Sequence, residues 1–329
     1  MEANREPNPP MGKLTFLFPG QASQYPGMGK ELAEKYPVAR AVFEQADQAL
    51  GFSLSQLCCE GSEEALKLTA NTQPAILTVS VAAYRILEEK GIAPHYVAGH
   101  SLGEYSALVA AGSLAFADAV KLVRLRGGYM QEAVSAGEGA MAAILGLAPA
   151  QVAQICKKAA DGQVVAPANL NSPEQTVISG HAAAVKRAVE LASASGAKGA
   201  VVLAVSAPFH SELMVPAQKN LGEDLRKTTF AALRVPLVTN ADAEFISTGD
   251  EAREALIRQV TLPVRWEESM RELIEQGTTT FVEVGPGRVL SGLLRQIDRS
   301  VHCFNVEDEK SLLTTLERLA QAQAETAEA

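Results

Sequence analysis

The sequence is poor in cysteine, in aromatic residues and in positive charge. Its 329 residues include four cysteines, which form neither a Cys-x-x-Cys pair nor a Cys/His cluster, and this argues against a disulfide framework and against zinc or another metal. Aromatic residues make up 5% of the chain, and 38 acidic against 29 basic residues give a net charge of -9. Because phosphate backbones need a concentrated basic face, nucleic acid is not expected to be a partner.

Long apolar runs are also absent. No stretch approaches the roughly 18 apolar residues that a membrane-spanning helix needs. The polar, proline-rich residues 1–13 lack the apolar run of a secretory signal. These absences predict a cytoplasmic protein that does not act in a membrane. The last residues are rich in Ala, Glu and Gln without apolar periodicity, which predicts a disordered tail over residues 317–329.

The sequence does contain enough apolar material, 47% of its residues, for a large core. Short apolar runs alternate with helical patterns, which predicts an α/β fold with a parallel sheet. Between residues 137 and 206 the order becomes β-α-β-β-α-β, the ferredoxin-like unit. We therefore predict a large subdomain with a parallel-sheet core, residues 11–136 and 207–316, into which a small ferredoxin-like subdomain, residues 137–206, is inserted.

Residues 99–103, Gly-His-Ser-Leu-Gly, match the G-x-S-x-G pattern of a nucleophile elbow. A predicted strand over 96–100 precedes Ser101 and a predicted helix over 102–111 follows it. In hydrolase-like folds such a turn exposes the serine at a helix N-terminus, where N–H groups favour developing negative charge. We predict that Ser101 is a nucleophile in a hydrolase-like large subdomain. The alternative is that Ser101 only caps the helix, with Glu104 completing a capping box.

A serine nucleophile needs a base within hydrogen-bond reach, and the chain offers five histidines. His210 is the best candidate because it lies in the rigid segment Ala207-Pro-Phe-His-Ser, where the chain re-enters the large subdomain. His100 is adjacent to Ser101 on an extended strand and should point away from it. The remaining histidines lie before the elbow strand, in the insert and in the last predicted strand: His95, His181 and His302.

No carboxylate is well placed to complete a triad. Hydrolases of this topology place an Asp or Glu between the serine and the histidine in sequence. Between Ser101 and His210 the only aspartates are Asp118, at a helix start, and Asp161, in a turn. We therefore predict a Ser-His dyad whose base is oriented by a neutral carbonyl oxygen.

One cation falls near the apolar face of a predicted helix. Over residues 116–132, at 100° per residue, Arg126 lies about 60° from the centre of the apolar face at Val123. Arg126 should therefore be buried. A buried guanidinium requires a partner such as a carboxylate, which is either an internal Glu or Asp or part of an acidic substrate.

Several segments together resemble the malonyl-CoA:acyl carrier protein transacylase family. They extend in order from Leu14 to about Val306, and the match is far more specific than the elbow motif alone. The segments are FPGQASQ at 18–24, NTQPA at 71–75, GHSLGEYS at 99–106, Arg126 with MQEA at 130–133, NLNSP at 169–173, Phe209-His210, Arg258-Gln259 and VEVGPG at 282–287.

The resemblance implies roles for individual residues. Ser101 is similar to the nucleophile and His210 to the base, which the main-chain carbonyl of Gln259 orients. The resemblance further implies that Gln21 and Leu102 supply the oxyanion-hole N–H groups and that Arg126 binds the malonyl carboxylate. A hydrolase-like subdomain with a ferredoxin-like insert is also the fold that the resemblance implies.

The reaction that the resemblance implies is transfer of malonyl from malonyl-CoA to the phosphopantetheine thiol of acyl carrier protein, by a ping-pong mechanism through malonyl-serine. It implies a monomer without a metal or redox cofactor, whose product supplies fatty acid synthesis, with a polyketide pathway as the open alternative. Two other functions remain open. One is a serine esterase or thioesterase with water as acceptor, and the other is a non-catalytic subunit that binds carrier protein.

Overall fold

The computed structural model describes residues 12–205 and 207–328, which form a mixed six-stranded sheet, a four-stranded antiparallel sheet and the helices around them. The strands of the larger sheet are β1 Lys13–Phe18, β2 Tyr96–Gly99, β7 Leu237–Val238, β8 Phe245–Ile246, β9 Thr278–Val284 and β10 His302–Val306. Their order in the sheet is β10-β9-β1-β2-β7-β8. They are parallel except for β8, which pairs antiparallel to β7.

Helices cover both faces of this sheet, as a parallel sheet requires. Helix α5 is buried on almost all sides, and its apolar residues are correspondingly not confined to one stripe. The helices of the large subdomain are α1 Lys30–Lys35, α2 Pro37–Leu50, α3 Leu54–Glu60, α4 Glu63–Lys67, α5 Thr69–Glu89, α6 Gly103–Ala110, α7 Phe116–Glu132, α10 Val215–Lys227, α11 Gly249–Gln259, α12 Trp266–Glu275, α13 Val289–Ile297 and α14 Glu309–Glu328, with a 3₁₀ turn at Glu212–Met214.

The smaller sheet has the order β4-β5-β3-β6, and all its pairs are antiparallel. This is the strand order of a ferredoxin-like unit, so the predicted fold class is confirmed. Its elements all lie within residues 137–206, although the division of the chain at those two residues stays a prediction. They are β3 Gly139–Leu145, α8 Pro149–Ala159, β4 Val165–Ser172, β5 Gln175–His181, α9 Ala182–Ala194 and β6 Gly199–Val202.

The two subdomains are joined through β4. Val264 of the large subdomain accepts a backbone hydrogen bond from Leu170 and donates one to Ala168, both at 2.8 Å. Beyond this short parallel bridge, Ser172 Oγ donates to Gln296 Oε1 of α13 at 2.8 Å. These bonds fix one edge of the small sheet against the large subdomain, near the carboxyl end of β2, which Ser101 follows.

One helix contains a proline, and another extends through a segment that was predicted to be disordered. Helix α5 begins at Thr69 and includes Pro74. Proline cannot donate to the carbonyl four residues earlier, and that carbonyl, of Ala70, instead accepts from Arg124 Nη1 at 2.7 Å. Helix α14 continues through Glu328 where a disordered tail was predicted, since Ala, Glu and Gln are strong helix formers; Ala329 and residues 1–11 lie outside the described part.

No helix among residues 12–205 and 207–328 is long and apolar enough to cross a membrane. Within the same residues no group of three or more His, Cys, Asp or Glu side chains is arranged to hold a metal ion.

Candidate active site

The G-x-S-x-G segment forms a sharp turn between β2 and α6. Ser101 has φ 52°, in the left-handed region, and lies between the end of the strand at Gly99 and the start of the helix at Gly103. The helix is not capped by a side chain. The alternative role of Ser101 as an N-cap with Glu104 closing a capping box is therefore wrong, and the serine hydroxyl is free to make other contacts.

Two glycines allow the chain to pack this closely. A Cβ at Gly103 would lie 2.0 Å from the carbonyl oxygen of Phe18, at the end of β1. A Cβ at Gly20 would lie 2.5 Å from the carbonyl oxygen of His100. The loop after β1 is thus held directly against the elbow, which brings Gln21 beside Ser101.

Alanine at Gly103 is expected to destabilise the protein strongly. The added methyl group meets backbone that cannot move without displacing β1, and such overpacking lowers the free energy of unfolding by about 3 kcal/mol. Gly128 of α7 offers a matched control, since a Cβ there meets nothing within 4 Å. Gly128→Ala should raise the free energy of unfolding by about 0.5–1 kcal/mol through helix propensity. Urea unfolding measures both changes, and two effects of the same sign would contradict the close contact.

The structure brings Ser101, His210 and Gln259 together in a hydrogen-bonded chain. Ser101 Oγ lies 2.8 Å from His210 Nε2, and His210 Nδ1 lies 2.8 Å from the main-chain oxygen of Gln259. Because a carbonyl only accepts, Nδ1 carries the proton and Nε2 is free to accept from the serine. Like Ser101, His210 has left-handed backbone, with φ 56°.

His210 is uncharged at neutral pH. Burial, together with the positive charge of Arg126, lowers the pKa of His210 to about 3. The neutral imidazole, with its proton on Nδ1, keeps a free lone pair on Nε2 that can accept a proton.

The other four histidines serve elsewhere or face away from the hydroxyl. His100 Nε2 lies 2.9 Å from Asn171 Oδ1, and its ring packs on that of Trp266 with centroids 5.2 Å apart. The ring nitrogens of His95 and His181 accept backbone N–H groups at 3.0 Å, from Leu14 and Val164 respectively. His302 lies in the edge strand β10.

Arg126 is buried, as its helical position predicts, with 1% of its surface exposed. Its partners are neutral oxygens. Nη1 donates to Gln73 Oε1 at 2.9 Å, and Nη2 donates to Gln259 Oε1 at 2.9 Å and to Ser101 Oγ at 3.1 Å. The guanidinium keeps its charge when buried. Among the described residues no carboxylate is hydrogen-bonded to this guanidinium, so a positively charged donor lies beside the serine hydroxyl and could receive a carboxylate.

Asn240 is a site residue that the sequence analysis missed. It follows the short strand β7, and its Oδ1 accepts from the Ser101 N–H at 2.6 Å while its Nδ2 donates to the Gly99 carbonyl at 2.7 Å. These two bonds hold both sides of the elbow. The available signal was positional, because polar residues just beyond the carboxyl ends of parallel strands gather at one edge of the sheet.

The side chains of Gln73 and Glu104 also belong to the site, although neither was predicted to do so. Gln73 Nε2 donates to Gln21 Oε1 at 3.1 Å, which orients its amide oxygen toward Arg126. Glu104 Oε2 accepts from Gln259 Nε2 at 2.9 Å. Both side chains are buried, so neither is a surface residue.

A cavity of about 520 Å³ opens onto Ser101 and His210 between the two subdomains. Its size is in the range of small-molecule and cofactor sites. The large subdomain contributes Gln21 and Phe209, and the small sheet contributes polar and apolar side chains from β3, β4 and β5, namely Met141, Ala143, Asn169, Asn171, Gln175 and Val177. The arrangement can carry out acyl transfer through Ser101, with the cavity receiving the rest of the acyl donor.

Known proteins resemble this chain over nearly its whole length. Residues 15–327 match the family described as acyl transferase domain. The chain is 50% identical over 312 residues to a malonyl CoA-acyl carrier protein transacylase of Bacillus subtilis strain 168, covering 94% of this chain and 98% of that protein.

Solved structures also resemble this chain. A malonyl CoA-acyl carrier protein transacylase from Coxiella burnetii superposes with a TM-score of 0.92 at 47% identity, over 94% of this chain and 98% of the other. A type II PKS acyl-carrier protein in complex with its malonyl-transacylase gives a TM-score of 0.91 at 46% identity, over 93% of this chain and 99% of the other.

Proposed function

This chain belongs to the family of malonyl CoA-acyl carrier protein transacylases, and from that membership we propose how its own residues transfer a malonyl group from malonyl-CoA to acyl carrier protein. The chain is an acyltransferase that acts on coenzyme A thioesters. We assign the catalytic roles to Ser101 and His210, and the recognition of the acyl group to Arg126.

The first half-reaction loads the enzyme. His210 Nε2 takes the proton from Ser101 Oγ as the oxygen attacks the thioester carbonyl. Collapse of the tetrahedral intermediate breaks the C–S bond, His210 returns the proton to the leaving thiol, and malonyl stays on Ser101 as an ester. The main-chain carbonyl of Gln259 keeps Nδ1 protonated throughout, as its 2.8 Å contact supports.

The oxyanion is stabilised by the backbone N–H groups of Gln21 and Leu102. Neither group donates to another residue in the parts of the chain described, 12–205 and 207–328. Leu102 follows the nucleophile at the start of α6, and the close contact of Gly20 with His100, which keeps the neighbouring Gln21 near the elbow, supports the second role. Such preorganised donors commonly contribute about 10²–10³-fold to the rate.

Arg126 selects an acyl group that carries its own carboxylate. Its Nη2 already reaches Ser101 Oγ, so a malonyl group on that oxygen extends its carboxylate toward the guanidinium. The N–H groups of a guanidinium can bind both oxygens of a carboxylate at the same time. An acetyl group leaves the cation unpaired and gains nothing from it.

The second half-reaction passes the malonyl group to the phosphopantetheine thiol of acyl carrier protein by the same steps in reverse. A solved relative holds its acyl-carrier protein, which supports this acceptor. We further propose that the enzyme acts as a monomer in the cytoplasm, without a metal or redox cofactor, and that its product supplies fatty acid synthesis.

The observation that carries the proposal is the dyad beside an unpaired buried cation, Ser101 Oγ lying 2.8 Å from His210 Nε2 and 3.1 Å from Arg126 Nη2. Intact-protein mass spectrometry after exposure to malonyl-CoA should show one malonyl group, located on Ser101 by peptide mapping. Ser101→Ala should show none. Ser113→Ala is the matched control, since Ser113 Oγ only donates to the Ala231 carbonyl, and it should load normally; a chain that never loads would overturn the proposal.

A thioesterase would use water instead of a thiol as acceptor. Free malonate should accumulate from malonyl-CoA without carrier protein only at a small fraction of the transfer rate. Release of malonate as fast as transfer would favour the thioesterase function.

A further inference from the structure

Glu104 is a buried acid that the proposed mechanism does not use. It lies on the first turn of α6, three residues after the nucleophile, and is 1% exposed. One oxygen, Oε2, accepts from Gln259 Nε2 at 2.9 Å and from the Asn240 N–H at 3.1 Å. The other oxygen has no hydrogen-bond partner among the described residues. A buried carboxyl with this pattern has a task that justifies its burial.

The partners of Glu104 are the residues that hold the reacting groups. Asn240 fixes the backbone on both sides of Ser101. Gln259 contacts His210 through its main-chain oxygen and Arg126 through its side-chain oxygen. Glu104 makes no hydrogen bond to the side chain of Ser101 or His210, so the effect of its hydrogen bonds on the reaction passes through these two neighbours.

The side-chain amide of Gln259 can adopt two orientations, and its neighbours select one. Arg126 only donates and therefore requires the amide oxygen, whereas Glu104 Oε2 and the Ser101 carbonyl accept and require the amide nitrogen. The reversed amide would direct N–H groups at a guanidinium and an oxygen at a carboxyl. Glu104 thus makes the reversed orientation unfavourable at the nitrogen end.

We infer that Glu104 is a positioning residue for acyl selection: through Oε2 it fixes the Gln259 amide with Oε1 toward Arg126, which aims the guanidinium at the acyl group on Ser101. The inference rests on the proposed function. The site has no triad carboxylate. Glu104 is separated from Arg126 by the Gln259 amide and makes no hydrogen bond to His210.

The inference does not depend on whether Glu104 is ionised. Burial raises the pKa of Glu104 to about 7, against the opposing effect of the hydrogen bonds from Gln259 and Asn240. In both the charged and the neutral form one oxygen remains an acceptor. The amide of Gln259 is therefore held in either form.

The test compares malonyl and acetyl transfer in two variants at position 104. Glu104→Leu removes the acceptor, and kcat/KM for malonyl-CoA should fall about 10²-fold because the guanidinium is no longer aimed at the acyl group, while acetyl transfer should fall at least about tenfold less. Glu104→Gln keeps an acceptor oxygen in the place of Oε2 and should recover at least tenfold of that loss. An equal loss for both acyl groups, or no recovery with glutamine, would overturn the inference.

Gln259→Leu provides an independent arm if Glu104→Leu does not fold. It keeps the main-chain carbonyl that orients His210 and removes the side-chain amide, including its bond to the Ser101 carbonyl, so malonyl transfer should fall at least about tenfold more than acetyl transfer. Adding Glu104→Gln to it should change malonyl transfer less than about twofold, because residues that act through one another are not additive. A Gln259→Leu enzyme with native selectivity, or additive losses in the double variant, would refute the inference. The native chain is assayed for malonyl-Ser101 in parallel, and failure there would refute the proposed function itself.

Discussion

His210→Ala is expected to slow malonyl transfer by about 10³–10⁴-fold, the upper part of the range for loss of a general base. In the proposed mechanism the same imidazole removes the proton from Ser101 and returns it to the leaving thiol, so both half-reactions should be affected. Stopped-flow loading with malonyl-CoA and single-turnover transfer to carrier protein measure the two steps separately. Loss of only one of them would contradict the shared role of His210.

The control for this variant is His181→Ala. His181 accepts a backbone N–H from Val164 in the small subdomain and does not line the cavity. We expect it to lower the melting temperature slightly and to leave both half-reactions within about threefold of the native rates, because surface-side hydrogen bonds contribute about 1 kcal/mol. Comparable rate losses in the two variants would mean that His210 acts through the fold and not as the base.

Arg126→Ala is expected to reverse the preference for an acidic acyl group. Malonyl transfer should fall at least about 30-fold, since leaving one partner of a buried charge pair alone costs about 2–5 kcal/mol. Acetyl transfer should be unchanged or faster, because acetyl makes no use of the guanidinium. Competition between malonyl-CoA and acetyl-CoA, scored by the mass of the acyl group on Ser101, measures the ratio directly.

Arg124 supplies the comparison for Arg126 on the same helix. Its guanidinium contacts the Ala70 carbonyl and the side chains of Asn71 and Phe52, away from the cavity. Arg124→Ala should therefore reduce stability and leave the malonyl-to-acetyl ratio intact. If Arg126→Ala lowers malonyl transfer and acetyl transfer by the same factor, Arg126 supports the structure and does not recognise the carboxylate.

The parts of the site that the sequence predicts are those determined by local pattern. Two glycines around Ser101 specify the elbow, and helical periodicity alone predicts the burial of Arg126. The ferredoxin-like insert could be predicted because its six elements are short, regular and consecutive. In each case the information lies within one continuous stretch of the chain.

The parts that the sequence does not predict depend on contacts between distant segments. Asn240 meets Ser101 across 139 positions and Glu104 meets Gln259 across 155. No local pattern distinguishes Glu104 as a buried acid from Glu104 as a helix cap, because both place a carboxyl three residues after the serine. The start of α5 depends likewise on Arg124, whose donor compensates for the missing N–H of Pro74.

The left-handed backbone at Ser101 and His210 has a consequence for how this enzyme can change over evolutionary time. Such a conformation disfavours any residue except glycine by about 1–2 kcal/mol, in proteins whose whole margin against unfolding is about 5–15 kcal/mol. The chain therefore keeps its two reacting side chains at positions where glycine would make a sturdier protein. A substitution by glycine would relieve the strain of the backbone at either place, but it would remove a side chain that we propose the reaction needs.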